Sequence, residues 1–138
     1  MAATTAFAKT NLQRDVPNAA PAHGLPDTFA AHFPKEQLGA EELGVSFQRL
    51  APRSASPFAH RHREQAEELY VVPAGTGTIV TDGVGHPLVP WDVVRVAGMV
   101  ARHFVAGPDG LELLAFGRIH PSDGELLDLD GNPLQGDA

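Results

Sequence analysis

From Gly44 onward, apolar and polar positions alternate with a period of two. The run GVSFQRLA sets Val45 and Phe47 on one face and Ser46 and Gln48 on the other. Short runs follow: EELYVV, TGTIVT, HPLV, DVVRVA, HFVA and LELLAFG. They are divided by PAG, DGVG, the region of Gly98 and AGPDG, all rich in residues that favour tight turns. Short strands at near-regular spacing, with no interval long enough for a crossover helix, predict an all-β sandwich or barrel.

The flanks lack this period. Residues 1–24, rich in Ala, Thr, Pro and Asn, are expected to form an irregular N-terminal arm. The main domain is expected over 25–118. At its start Asp27 offers an N-cap and Phe29 and Phe33 stand four apart, which predicts one short helix ending near Pro34. Residues 119–138 are acidic and turn-rich, and are expected to be a loop or swapped arm with no chemistry of its own.

Composition narrows the classes. A chain of 138 residues fits one domain, and its 14 glycines and 12 prolines favour many short elements. The absence of cysteine removes disulfides, thiolate metal sites and cysteine nucleophiles, and is compatible with a reducing cytosol. A net charge of −7 with no basic stripe argues against nucleic acid as a partner. No run approaches membrane-spanning length, and the opening residues lack the apolar core of a secretory signal. The expectation is a soluble, cytoplasmic protein.

The chemistry concentrates in one stretch. His60 and His62 stand two apart in a predicted strand, so their imidazoles share a face and can meet one ion. Glu67 and Glu68 open the next strand, and only one of them can point the same way. Two neutral imidazoles and a carboxylate suit Fe(II), Mn, Ni, Co or Zn, in a set that leaves coordination positions open for substrate or dioxygen.

The segment HRHREQAEELYVVPAGTG resembles the first motif of the cupins: His-x-His, a short acidic connection, Glu, then six residues and Gly. Glu68, separated from Gly75 by six residues, matches the family's glutamate ligand, and Glu67 is the reserve candidate. WDVVRVAGMVARHFVAGPDGLELLAFG resembles the second motif and its closing strand. The resemblance, from about Gly44 to Gly117, is to small single-domain cupins of the type-2, conserved-barrel kind. It implies a double-stranded β-helix, or jelly roll, with the pocket inside the barrel, and a homodimer. Two departures stand out. Five residues separate His62 from Glu68 where the family has four at most, an excess that a bulge at Gln65–Ala66 would absorb. Where the second motif has its histidine ligand, ungapped alignment puts Arg102, with His103 on the opposite face; one inserted residue would bring His103 inward instead.

Arginine cannot ligate a metal. Two arrangements follow. In one, Arg102 pairs with Glu68 and the pocket is a metal-free site for a small ligand. In the other, His60, His62 and Glu68 hold a divalent metal and Arg102 grips an anionic substrate beside it. A third arrangement leaves the histidines solvated at the barrel mouth. Tyr70 shares a face with Glu68 and offers a hydroxyl for proton transfer, or serves as a core residue. Phe104 shares a face with Arg102 and would wall the cavity against substrate. The family's range implies a metal-dependent isomerase, decarboxylase or dioxygenase.

Overall fold

Two long strands organise the molecule, for which a computed structural model describes residues 6–64, 66–120 and 123–134. Strands β4 (Glu68–Thr81) and β7 (Arg102–Arg118) run antiparallel, and each changes neighbours part-way along. The first part of β4 lies between β6 (Val93–Val96) and the end of β7; its second part lies between β5 (Val84–Leu88) and the start of β7. On its other flank β7 carries β2 (Leu43–Leu50), extended by β1 (Phe29–His32). The start of β7 meets β3 (Ala59–His62), which is extended in turn by β8 (Gly124–Leu127). The result is two halves joined through β4 and β7, the arrangement of a jelly-roll barrel.

The corner between the halves is set by glycine. The β4–β7 register shifts between Val71 and Ala74 and again between Gly75 and Gly77. Gly75 has φ +81°, and a Cβ there would stand 2.2 Å from the Gly110 carbonyl oxygen, so the two strands touch backbone to backbone. The β4–β5 hairpin turns through Asp82 (φ 50°) and Gly83 (φ 77°), both left-handed as a two-residue primed turn requires.

Alternation then fills the interior. Tyr70 and Val72 are buried while Leu69 before them is exposed and Val71 between them is half-buried; Arg102, Phe104 and Ala106 are buried on β7. Tyr70, Val72, Phe104 and Ala106 join Leu50, Ile79, Leu111 and Leu113 in one continuous core, in which each fully buried aliphatic side chain contributes about 1.5–3 kcal/mol.

Three expectations for the flanks change. Phe29 lies in a strand, not a helix: β1 pairs with β2 and turns Phe29 and Ala31 inward, while Phe33 is exposed. The helix of this region is one turn, α1 (Lys35–Leu38), which follows Pro34. The N-terminal arm is irregular but partly seated: Val16 and Ala20 are buried, and the Asn18 side chain accepts the amides of Ala20 and Ala31. The acidic C-terminal segment is no loop over 124–127, because β8 pairs with all four residues of β3. The Gln65 part of the expected bulge lies outside the described residues.

Candidate metal centre

Strand β3 has Ala59 buried at its start and presents His60 and His62 together, their rings 5.4 Å apart and nearly perpendicular. Glu68 begins β4 opposite Gly117. The missing side chain at Gly117 leaves room for the carboxylate, since a Cβ there would lie 3.3 Å from Glu68 Cγ. His60 Nε2 is 3.1 Å from Glu68 Oε1, and His62 Nε2 is 3.3 Å from Oε2. Glu67 points the other way and pairs with Arg95 on the outer surface, which leaves Glu68 as the carboxylate beside the histidines.

Arg102, not His103, faces this cluster. Its guanidinium side chain is fully buried and donates to four acceptors: Glu68 Oε1 (3.3 Å), the Tyr70 hydroxyl (3.2 Å), and the carbonyls of Gly98 (3.2 Å) and Val100 (2.7 Å). His103 lies partly buried on the opposite face. With no exposed side-chain atom and these partners, Arg102 holds Glu68 and Tyr70 from behind. Tyr70 donates its hydroxyl to Glu68 and stacks edge-on against Phe104, ring centroids 5.0 Å apart. Phe104 belongs to the core.

A further contact comes from the segment expected to carry no chemistry. Asp123 is buried; its Oδ2 lies 3.1 Å from His62 Nδ1, and its Oδ1 accepts the Glu64 amide. Nothing local in the sequence marks this residue. It opens an acidic, turn-rich stretch and reaches the site because β8, which follows it, pairs with β3.

Electrostatics sort the members. Burial pushes the His60 pKa down against the pull of Glu68, so this imidazole is neutral near pH 7. The nearby Glu68 carboxylate raises His62 against a smaller effect of burial. Burial acts to raise Glu68, but the facing His60 and His62 imidazoles and the Tyr70 hydroxyl outweigh it and hold the carboxyl far below the usual range. Burial and the Glu68 charge push the Tyr70 phenol up, so it remains a neutral donor.

The donor set fits a divalent ion. Bond lengths of about 2.0–2.2 Å put two ligands at right angles roughly 3 Å apart, close to the spacings seen. The one atom of each of His60, His62 and Glu68 that would ligate all lie within 4.8 Å of one another, and no other such group occurs among the described residues. His62 Nε2 is also buried and, despite the nearby carboxylate oxygen, makes no hydrogen bond. A buried imidazole nitrogen without a partner is costly, and a metal ion would satisfy it.

No protein-family model matches the chain, and neither does any curated protein. Solved structures do. A cupin protein from Bacteroides fragilis superposes with a TM-score of 0.67 at 24% identity, covering 86% of this chain and 88% of that one. A sugar phosphate isomerase of the cupin superfamily from Silicibacter pomeroyi gives 0.62 at 27% identity, covering 80% and 83%. A cupin-2 domain from Rhodospirillum rubrum gives 0.61 at 16%, covering 75% and 68%. With the jelly-roll topology, these likenesses establish the class: the chain is an all-β cupin barrel. Its fold is that of a small cupin, with a His–His–Glu group close enough together to hold a metal. No helix among the described residues is long and apolar enough to cross a membrane.

Proposed function

We propose that this cupin binds a divalent metal ion through His60, His62 and Glu68 and acts on a small, anionic organic substrate. The unpartnered, buried Nε2 of His62, facing Glu68 and beside His60, carries the reading. The sugar phosphate isomerase likeness supports a small phosphorylated or carboxylated substrate. When bound, the metal would supply Lewis-acid polarisation of a substrate oxygen or a site for dioxygen, in an isomerase, decarboxylase or dioxygenase. Around it Tyr70 supplies a neutral hydroxyl donor beside Glu68, and Phe104 keeps the inner wall dry. Arg102 positions Glu68 and Tyr70; direct contact with a substrate anion requires its bond to Glu68 to open. The exposed Leu43, Leu69 and Phe116 offer an outer apolar surface for a homodimer, to be tested by sedimentation, where a 14.6 kDa species alone would remove it.

Metal content of protein purified without chelators or nickel resin tests the main reading. About one first-row metal per chain, lost in His62→Ala, supports it. An empty wild type that takes up none of Fe(II), Mn, Co, Ni or Zn on titration refutes it. The 3.3 Å Arg102–Glu68 contact favours a second reading, in which the guanidinium stands where a metal would and the pocket binds a small ligand without one. That reading requires metal uptake to appear only in Arg102→His.

A further inference from the structure

The C-terminal strand brings one carboxylate to the back of the centre, and its geometry fixes more than a contact. Asp123 uses both oxygens as acceptors: Oδ1 takes the Glu64 amide and Oδ2 faces His62 Nδ1 at 3.1 Å. Its own carbonyl takes the Arg63 amide at 2.8 Å. An ionised carboxylate can only accept, so the nitrogen facing Oδ2 must carry the ring proton. In the neutral ring the lone pair is then on Nε2, the nitrogen that is buried, makes no hydrogen bond and faces Glu68 Oε2 at 3.3 Å. Two acceptors opposed at that distance need either a second ring proton or a metal ion between them.

We propose that Asp123 is a positioning residue of the centre: its carboxylate holds the proton on His62 Nδ1 and so aims the Nε2 lone pair at the metal position. This rests on the metal reading above, but its first consequence, the tautomer, is a property of the metal-free chain. A carboxylate behind a ligating histidine raises ligand basicity and fixes ring orientation, and losing one costs about 10–100-fold in metal affinity. β8 is thereby part of the centre, since Asp123 and the Gly124–Leu127 pairing position the same β3 residues that carry the imidazoles.

Asp123→Asn tests this with little change of shape. The amide has one accepting oxygen for two facing N–H donors, so it cannot serve both His62 Nδ1 and Glu64. Glu125→Gln is the control: it lies on β8, which Asp123 immediately precedes, and weakens the pairs with Arg61 (3.2 Å) and Arg63 (3.6 Å) without touching His62. Nitrogen-15 NMR of the full metal-free chain, with the ring neutral, reads which nitrogen holds the proton, and Co(II) titration reads affinity. The expected result is a proton on Nδ1 in wild type, a shift toward Nε2 in Asp123→Asn with 10–100-fold weaker Co(II) binding, and neither change in Glu125→Gln. A wild-type proton on Nε2 overturns the proposal without any variant. So does unchanged affinity in Asp123→Asn, or an equal loss in Glu125→Gln, which would assign the effect to strand docking. A wild type that takes up no Co(II) while Asp123→Asn still moves the tautomer supports the positioning role and removes the metal reading instead.

Discussion

Arg102→Met separates what the buried guanidinium does for the fold from what it does to the centre. Methionine has similar reach but no donors. The substitution deprives Glu68 Oε1, the Tyr70 hydroxyl and the carbonyls of Gly98 and Val100 of their bonds to Arg102. Removing one partner of a buried ion pair costs about 3–5 kcal/mol. The lower end applies here: the Glu68 side chain is 18% exposed and its contact with Arg102 is long. Glu68 also keeps Tyr70 and His60, and the Gly98 carbonyl keeps the His62 amide at 2.7 Å. Stability of the metal-free protein in urea should therefore fall by about 3 kcal/mol, more than 100-fold in the folding equilibrium. Metal affinity should move the other way, because a dication no longer faces a guanidinium and Glu68 is free to ligate. Added Co(II) at a hundred times its Kd would restore about 2.7 kcal/mol. A stability loss under about 1 kcal/mol, below the mutational cost of leaving buried polar groups unpaired, would refute the buried-pair account. Weaker metal binding than wild type would refute the electrostatic one.

Two further outcomes follow from the geometry. Metal must displace the proton that Glu68 favours on His62, whose pKa is raised, so affinity should begin to fall at a pH above the ordinary imidazole value of about 6.5, with the slope of one proton; the slope should double only at lower pH, where the depressed His60 begins to titrate. Isothermal titration across that range checks it, and a two-proton slope from the start would contradict the separation of the two imidazoles. Gly75→Ala meets both a left-handed backbone and the Gly110 carbonyl at 2.2 Å, whereas Gly83→Ala meets only the former, with open space around its Cβ. Urea unfolding should show roughly 1 kcal/mol lost at Gly83 and at least 2 kcal/mol at Gly75; equal losses would mean that the corner yields.

The barrel strands and the primary ligands were legible because local signals carry them. Period-two alternation survives in β4 and β7 but not in the burial of β2, where Ser46 and Phe47 are both buried; Asp82–Gly83 is a primed-turn pair, and His60 and His62 share a strand face by spacing alone. Arg102 was legible only through the motif, because an arginine buried among carbonyls has no pattern of its own. Phe29 misled because a four-residue interval to Phe33 satisfies a helix as well as chance; Phe29 and Ala31 satisfy a strand, and pairing with β2 decides between them. Asp123 was out of reach. Its partner lies 61 positions away, and nothing in a short acidic stretch tells a solvated carboxylate from one folded under a histidine.

The position of β8 bears on when the protein acquires its chemistry. Ala59, His60, Glu68, Tyr70 and Arg102 all precede Arg118, where β7 ends, while Asp123 and β8 follow it. A nascent chain that has exposed β7 already holds the three candidate ligands, yet β3 is bonded to β7 only at His60–Arg102 and lacks the four-residue pairing that β8 supplies. The barrel wall is therefore complete in sequence before the strand that firms the His-x-His pair, and a chain ending at Arg118 would keep all three candidate ligands but lose the pairing that holds two of them.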